Sequence, residues 1–457
     1  MRLGRGIKKI EKGAFNWCNS LKSVEVPDSV GVIGEAVFQY CGSLEEFHLG
    51  AGIKRIENGA FCGCSSLKTV AIPDSVEVIG ELAFKDCSGL EELHLGAGIK
   101  KIEDCAFLRC SSLKSVEIPG SVESVGKFAL HECSELEELH LGAGIKKIEK
   151  CAFMDCNSLV SVVIPDSVEI IGEFAFTNCA VLEELRLGAG IKKIEKGAFW
   201  SCYSLVSVVI PDSVEVVGEG AFQECDGLEE LRLGAGIKTI EKAAFLGCGS
   251  LVSVVVPDSV EDVGEGAFRN CVRLAELRLG AGLKTLKESA FSGNRLLASV
   301  AIPNSVEVIG KNAFWNCVGL KELRLGSGIK TIETSAFENC SSLNSVVIPE
   351  SVEVVGEWAF YDCQGLEELR LSSGVQRIEK GAFCNCRSLK SVDVPDSVEI
   401  VGKDAFSDCQ GLEELRLGTG IKEIEKDAFD PQVTLVVDAD SYAEEWCREN
   451  QRKYKVR

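Results

Sequence analysis

The sequence predicts a β-rich repeat solenoid. Each 23-residue coil would hold one short parallel strand and one short helical turn, all around a single continuous core. Three observations predict it. From Phe15, steps of 23 residues reach Phe38, Phe61, Phe84 and Phe107, then Leu130, then Phe153 and onward to Phe429. Cysteine recurs with the same step from Cys18 to Cys409, and Asn294 is the only exception. Proline marks every second unit, from Pro27 to Pro395 in steps of 46. A fixed period without insertions means stacked units, because no unit buries its apolar face alone and each touches only its neighbours.

Residues 182–227 show one 46-residue cassette, made of LEELRLGAGIKKIEKGAFWSCYS followed by LVSVVIPDSVEVVGEGAFQECDG. Each half opens with a strand, since apolar residues fall on alternate positions at the end of the L-x-x-[LV]-x-[LIV] segment. Gly-Ala-Gly or Pro-Asp-Ser then supplies turn chemistry. A short apolar pair follows, Ile191 and Ile194 in one half and Val214 and Val217 in the next. The G-A-F-x-x-C segment reads as one helical turn whose Phe plugs the core. The back of each coil is too short for a long helix and is expected to be irregular or short-stranded.

Charge gives a reason for the doubled period. Two residues after the turn the chain carries Lys54, Glu77, Lys100, Glu123, Lys146 and Glu169, and the alternation runs to Glu399 and Lys422, broken mainly at Gly31 and Gln376. A uniform repeat would stack like charges in adjacent coils, whereas alternation sets opposite charges side by side.

The repeat spans residues 1–432, and residues 433–457 read as a C-terminal cap of strand plus short helix. The cysteine position falls at Gln432, VTLVV reads as the last strand, and Asp440 or Ser441 can N-cap a helix through Tyr442, Trp446 and Cys447. The chain opens at Leu3 in mid-template with no polar cap. Either a partner covers that coil, by end-to-end self-association for example, or the chain is a piece of something longer.

A formal net charge of −21 and a pI near 4.8 argue against nucleic acid as the main partner. No apolar run reaches membrane-helix length, and MRLGRGIKKIE lacks the apolar region of a signal peptide. Of the 22 cysteines, 17 hold one template position and form a ladder of buried thiols, although stacking also brings neighbours within disulfide range. The irregular Cys62, Cys105, Cys151, Cys384 and Cys447 include no C-x-x-C pair, so a zinc site is not indicated. His48, His94 and His140 recur two coils apart, about 9.6 Å by strand spacing, too far to share a metal. Gly-Ala-Gly recurs as a turn rather than a phosphate loop, and pairs such as Glu183 and Glu184 read as a solvated face. The sequence therefore points to no enzyme and no cofactor.

The informative asymmetry lies at outward strand positions of the proline halves. These are Lys22 and Glu25, or Lys114 and Glu117, near the start, and Lys390 and Asp393 near the end. In the middle they become Val160 and Val163, Val206 and Val209, Val252 and Val255, then Ala298 and Ala301. Arg186, Arg232 and Arg278 flank this stripe. One reading is an interaction site, an exposed apolar patch rimmed by polar groups. The other is that Val is a good strand former covered by charged neighbours.

These units closely resemble the BspA-like leucine-rich repeat family, whose 23-residue form is L-x-x-[LIV]-x-[LI]-P-x-x-[LIV]-x-x-I-G-x-x-A-F-x-x-C. Leu205 to Cys225 match nearly every fixed position, and DADSYAEEWCREN resembles the family's closing element. The Gly-Ala-Gly halves depart from the family's proline but keep the apolar positions. The resemblance implies a leucine-rich-repeat solenoid without enzyme activity. It also implies a surface-exposed or secreted binding protein, such as an adhesin contacting host matrix proteins; the Val and Arg rows point to the concave strand face as the binding platform. A structural spacer, a surface-assembly element or the repeat region of a larger surface protein is the alternative.

Overall fold

The computed structural model describes residues 1–457, which fall into two compact units, Met1–Gly236 and Ile237–Arg457. Each unit is a parallel β-solenoid wound from 23-residue coils.

In the first unit, the strand Glu184–Arg186 turns Leu185 inward and leaves Glu184 and Arg186 exposed, the two-residue alternation of a strand. After the glycine turn a second strand of only two residues, Lys193–Ile194, forms the short-stranded back of the coil. Both strands pair in parallel with the neighbouring coil at a shift of one repeat, Glu184 with Ser207 and Ile194 with Val217. The register carries every inward side chain onto its equivalent.

The A-F-x-x-C segment keeps the expected one-turn hydrogen bonds, such as Cys202 N–H to the Phe199 carbonyl at 3.4 Å. It does not become a helix, because Gly197 and Ser201 sit in the left-handed region with φ of 60° and 58°. The left-handed residues four apart keep the segment from winding into a helix, and the amides of Gly197, Phe199 and Ser201 turn toward the next coil. There they donate to the carbonyls of Glu219, Ala221 and Gln223 at 2.8, 2.8 and 2.9 Å. This line of hydrogen bonds satisfies backbone that would otherwise be buried unpaired.

The phenylalanines stack inside this wall. Phe15, Phe38, Phe61, Phe84 and Phe107 follow one another at 5.0–5.3 Å with nearly parallel rings, and Phe153, Phe176, Phe199 and Phe222 do the same at 5.1–5.3 Å. Leu130, also fully buried, fills the gap between the two runs. Burying one such side chain contributes roughly 1.5–3 kcal/mol, and an offset-stacked neighbour adds about 0.5–1.5 kcal/mol.

The doubled period has a steric cause in addition to charge. Each Gly-Ala-Gly turn lies on the proline-containing turn of the preceding coil. A Cβ on Gly190 would stand 1.9 Å from the Asp166 carbonyl oxygen. Asp166 in turn accepts the Ala189 amide through Oδ1 at 2.7 Å, and Ser167 Oγ donates to the Ile145 carbonyl one coil earlier at 2.7 Å. The two turn types are complementary halves of one contact. The charge column forms as well: Lys100 reaches Glu77 at 3.2 Å.

The second unit repeats this plan. Its phenylalanines stack from Phe245 to Phe406 at 5.0–5.5 Å, and Phe429 follows at 6.1 Å. The charge column continues at Glu261–Lys284, Glu307–Lys330 and Glu399–Lys422, each 2.7 Å. Strand Thr434–Val437 adds to Glu414–Arg416, and the tail contributes one more parallel strand, Tyr454–Val456. Ser441 caps the helix Tyr442–Glu449 by accepting the Glu444 amide at 3.2 Å, while Glu444 accepts the Asp440 amide at 2.9 Å. That helix buries Ala443 and Cys447 and sets the Trp446 ring edge-on to Phe429, so it covers the end of the phenylalanine column. Arg452 donates to the carbonyls of Phe429 and Asp430.

Candidate interaction face

The outward strand positions carry the sequence's candidate residues, and both units expose them. In the first unit Val160 and Val206 are 44% and 46% exposed, and Val163 and Val209 are each 58% exposed. Parallel pairing sets Val163 beside Arg186 and Val209 beside Arg232. The Val160 carbonyl accepts the amides of Glu183 and Glu184 at 2.9 and 3.3 Å, which fixes the acidic residues in the next row. The face is thus ruled in alternate rows, Val-Ser-Val and Glu-Glu-Arg. Charged neighbours rim the valines without covering them.

The same rows recur in the second unit, where Val252 and Val255 are exposed and Val255 pairs with Arg278. Val347, 54% exposed and paired with Arg370, extends the apolar positions beyond the expected set. Its signal was its place two cassettes after Val255, masked by the polar Asn344 in the same row. Arg186, Arg232 and Arg278 are exposed and stand outside ion-pairing distance of any carboxylate, whereas Arg370 lies 3.9 Å from Glu368 on its own strand. Such a surface offers apolar contact and forked cationic donors.

Upstream in the first unit the Arg column is held by His48, His94 and His140, which pair with Glu25, Ala71 and Glu117. An open hollow of about 980 Å³ lies here, floored by Phe47 and edged by Glu45, His48, Lys68 and Ala71. The strands Glu46–His48 and Thr69–Ala71 make no ladder with each other, although each pairs with its other neighbour. Phe47 stands where other coils place Leu93 or Leu139, and its ring packs against Phe61 at 4.2 Å. The sequence reading missed this hollow, and the larger residue was the available signal.

The cysteine column is chemically quiet. The thiols of Cys87, Cys110, Cys156 and Cys179 are buried, and burial pushes them well above the ordinary thiol range. All 22 cysteines are free. No helix is long and apolar enough to cross a membrane.

The sequence model described as BspA type leucine-rich repeat region, in six copies, matches residues 1–114, 100–229, 215–344 and 307–436. Among solved structures, a leucine-rich repeat protein from Bacteroides ovatus aligns at 22% identity over 99% of this chain and 88% of its own, with a TM-score of 0.36. A leucine-rich cell surface protein from Faecalibacterium prausnitzii aligns at 28% identity over 80% of this chain and 83% of its own, with a TM-score of 0.38. The pneumococcal vaccine antigen PcpA aligns at 16% identity over 100% of this chain and 93% of its own, with a TM-score of 0.37. No curated protein matches the chain.

Proposed function

Because the chain belongs to the BspA-type leucine-rich repeat family, we propose that it is a non-catalytic binding solenoid that captures a partner protein on its outward strand face. One observation carries this reading. Exposed valine pairs stand in register with arginines that have no carboxylate partner, at Val163 with Arg186, Val209 with Arg232 and Val255 with Arg278. Apolar contact area beside forked cationic donors is the chemistry of interface anchors. The family resemblance supports a place at the cell surface or outside the cell, and host matrix or surface proteins as the class of partner.

The test is capture of immobilised matrix proteins by the full chain. In the first unit, Val206→Glu and Val209→Glu are combined with Arg186→Glu and Arg232→Glu. In the second, Val252→Glu and Val255→Glu are combined with Arg278→Glu. Loss of capture with an unchanged melting profile supports the face. Undiminished capture by both variants rejects it.

A further inference from the structure

Within the second unit the outward face is a charge grating of fixed pitch. Arg278, Arg324 and Arg370 stand two coils apart in one column, with Ala301 and Val347 between them. Two residues earlier on the same strands, Glu276, Glu322 and Glu368 form a second column, with Ser299 and Ser345 between them. All six charged side chains are exposed. Strand spacing makes the pitch of each column about 9.4–9.8 Å, two parallel strands per step. The columns lie about 6.6 Å apart, two residues along a strand.

Few backbones match that pitch. A β-strand presents like positions every ~6.6 Å, and two turns of α-helix advance ~10.8 Å, drifting about 1 Å per step. Polyproline II repeats every three residues at ~3.1 Å each, about 9.3 Å, within half an ångström of the grating. Its three rows of side chains lie 120° apart, so two rows can face the two columns while the third faces solvent.

We propose that this face binds a polyproline-II segment with a three-residue charge period, in which an acidic residue meets each arginine and a basic residue meets each glutamate. Proline at the third position faces solvent and holds the segment in the polyproline-II conformation. The proposal rests on the reading of the strand face as the binding surface and adds the ligand's backbone and charge order. A segment of this kind is nearly neutral, so the formal charge of −21 on the chain does not repel it. Exposed pairs are individually weak, and selectivity comes from register over several steps.

The probe is a fluorescent peptide of six Pro-Lys-Glu repeats, titrated by anisotropy against the full chain at low salt. The control peptide has the same composition in an order without the three-residue period. Periodic peptide binding at least tenfold tighter than the control is expected. Arg278→Glu, Arg324→Glu and Arg370→Glu together should weaken it at least tenfold. A second variant, Glu276→Lys, Glu322→Lys and Glu368→Lys, should do the same, and each variant's melting profile reports folding. Equal binding of both peptides, or of neither, overturns the proposal. Failure of the peptide with retained, face-dependent capture of a matrix protein would sink only this ligand. Loss of face dependence in both assays would sink the binding surface itself.

Discussion

Cys202 Sγ donates to the carbonyl oxygen of Phe176, one coil earlier, at 3.3 Å. That oxygen already accepts the Cys179 amide at 3.3 Å, so the thiol occupies its second lone pair. The ladder cysteines are therefore donors as well as small apolar fillers. The exception follows the same rule: Asn294 Nδ2 donates to Phe268 and Phe291 carbonyls at 3.2 and 3.0 Å. Asn294 Oδ1 is left buried without a partner.

An orphaned buried acceptor costs about 1–3 kcal/mol. Asn294→Cys keeps a donor and removes the orphan, and is expected to stabilise the second unit by about 1 kcal/mol. Asn294→Ala, which removes the donor too, should gain less or lose stability. Calorimetric melting of the two variants measures the order, and a Cys variant less stable than Ala would contradict the donor role.

Burial also ties stability to alkaline pH. The Cys202 thiol is pushed up to about 12 by desolvation, and burial also pushes its ladder neighbours Cys179 and Cys225 well above the ordinary thiol range. A thiol raised in the folded state stabilises fully below the unfolded value, about 8.5, and loses that contribution as pH rises toward the folded value. Melting temperature should therefore fall steadily from pH 8.5 to 12. At pH 8 the native chain should label first at the half-buried Cys18, more slowly at Cys105, whose thiol burial raises, and all 22 cysteines should label in guanidinium. Rapid native labelling of the ladder would show that the coils are open.

The glycine turns give a sharp contrast. Gly190→Ala drives a Cβ to 1.9 Å from a backbone oxygen that cannot swing away. Gly120, on a proline-half turn, has its nearest such contact at 4.0 Å. We expect Gly190→Ala to cost about 3 kcal/mol or more, in the range of severe overpacking, while Gly120→Ala is neutral or slightly stabilising. Comparable melting temperatures for the two variants would refute the nested-turn account of the doubled period.

These cases mark what a one-dimensional reading can reach. Phe199, Leu185 and Ile194 announce their burial by recurrence, because stacking in register repeats one environment. Val163 and Val209 were legible as outward residues because strand alternation decides side. The left-handed backbone at Gly197 and Ser201 was not, since the spacing from Ala198 to Cys202 suits a helical turn equally well. Only the amides' partners in the next coil, at Glu219 and Gln223, decide against a helix. The contact of Gly190 with Asp166 and the lost pairing beside Phe47 likewise live between coils. Each depends on how a residue of one repeat meets the next, and Phe47 was the one visible sign.

The charge column yields a prediction whose size depends on conditions. Lys284 donates to Glu261 and also lies beside Glu307, which Lys330 contacts. Hydrogen bonds from Lys284 and Lys330 hold the Glu261 and Glu307 carboxyls below the usual carboxylate range. A carboxylate lowered in the folded state contributes stability above its unfolded pKa and loses it as pH falls through the folded value. The same hydrogen bond raises Lys284, whose contribution is present below its unfolded pKa and lost above the folded one. Lys284→Glu puts three carboxylates in successive coils, so at pH 7 and low salt its melting temperature should drop below that of Lys284→Met. Salt at 1 M shrinks the Debye length to about 3 Å and should close most of that gap. At pH 3, where carboxylates are largely protonated, the two variants should converge. A drop that persists through both salt and acid would assign the effect to side-chain packing and remove charge as a reason for the alternating cassette.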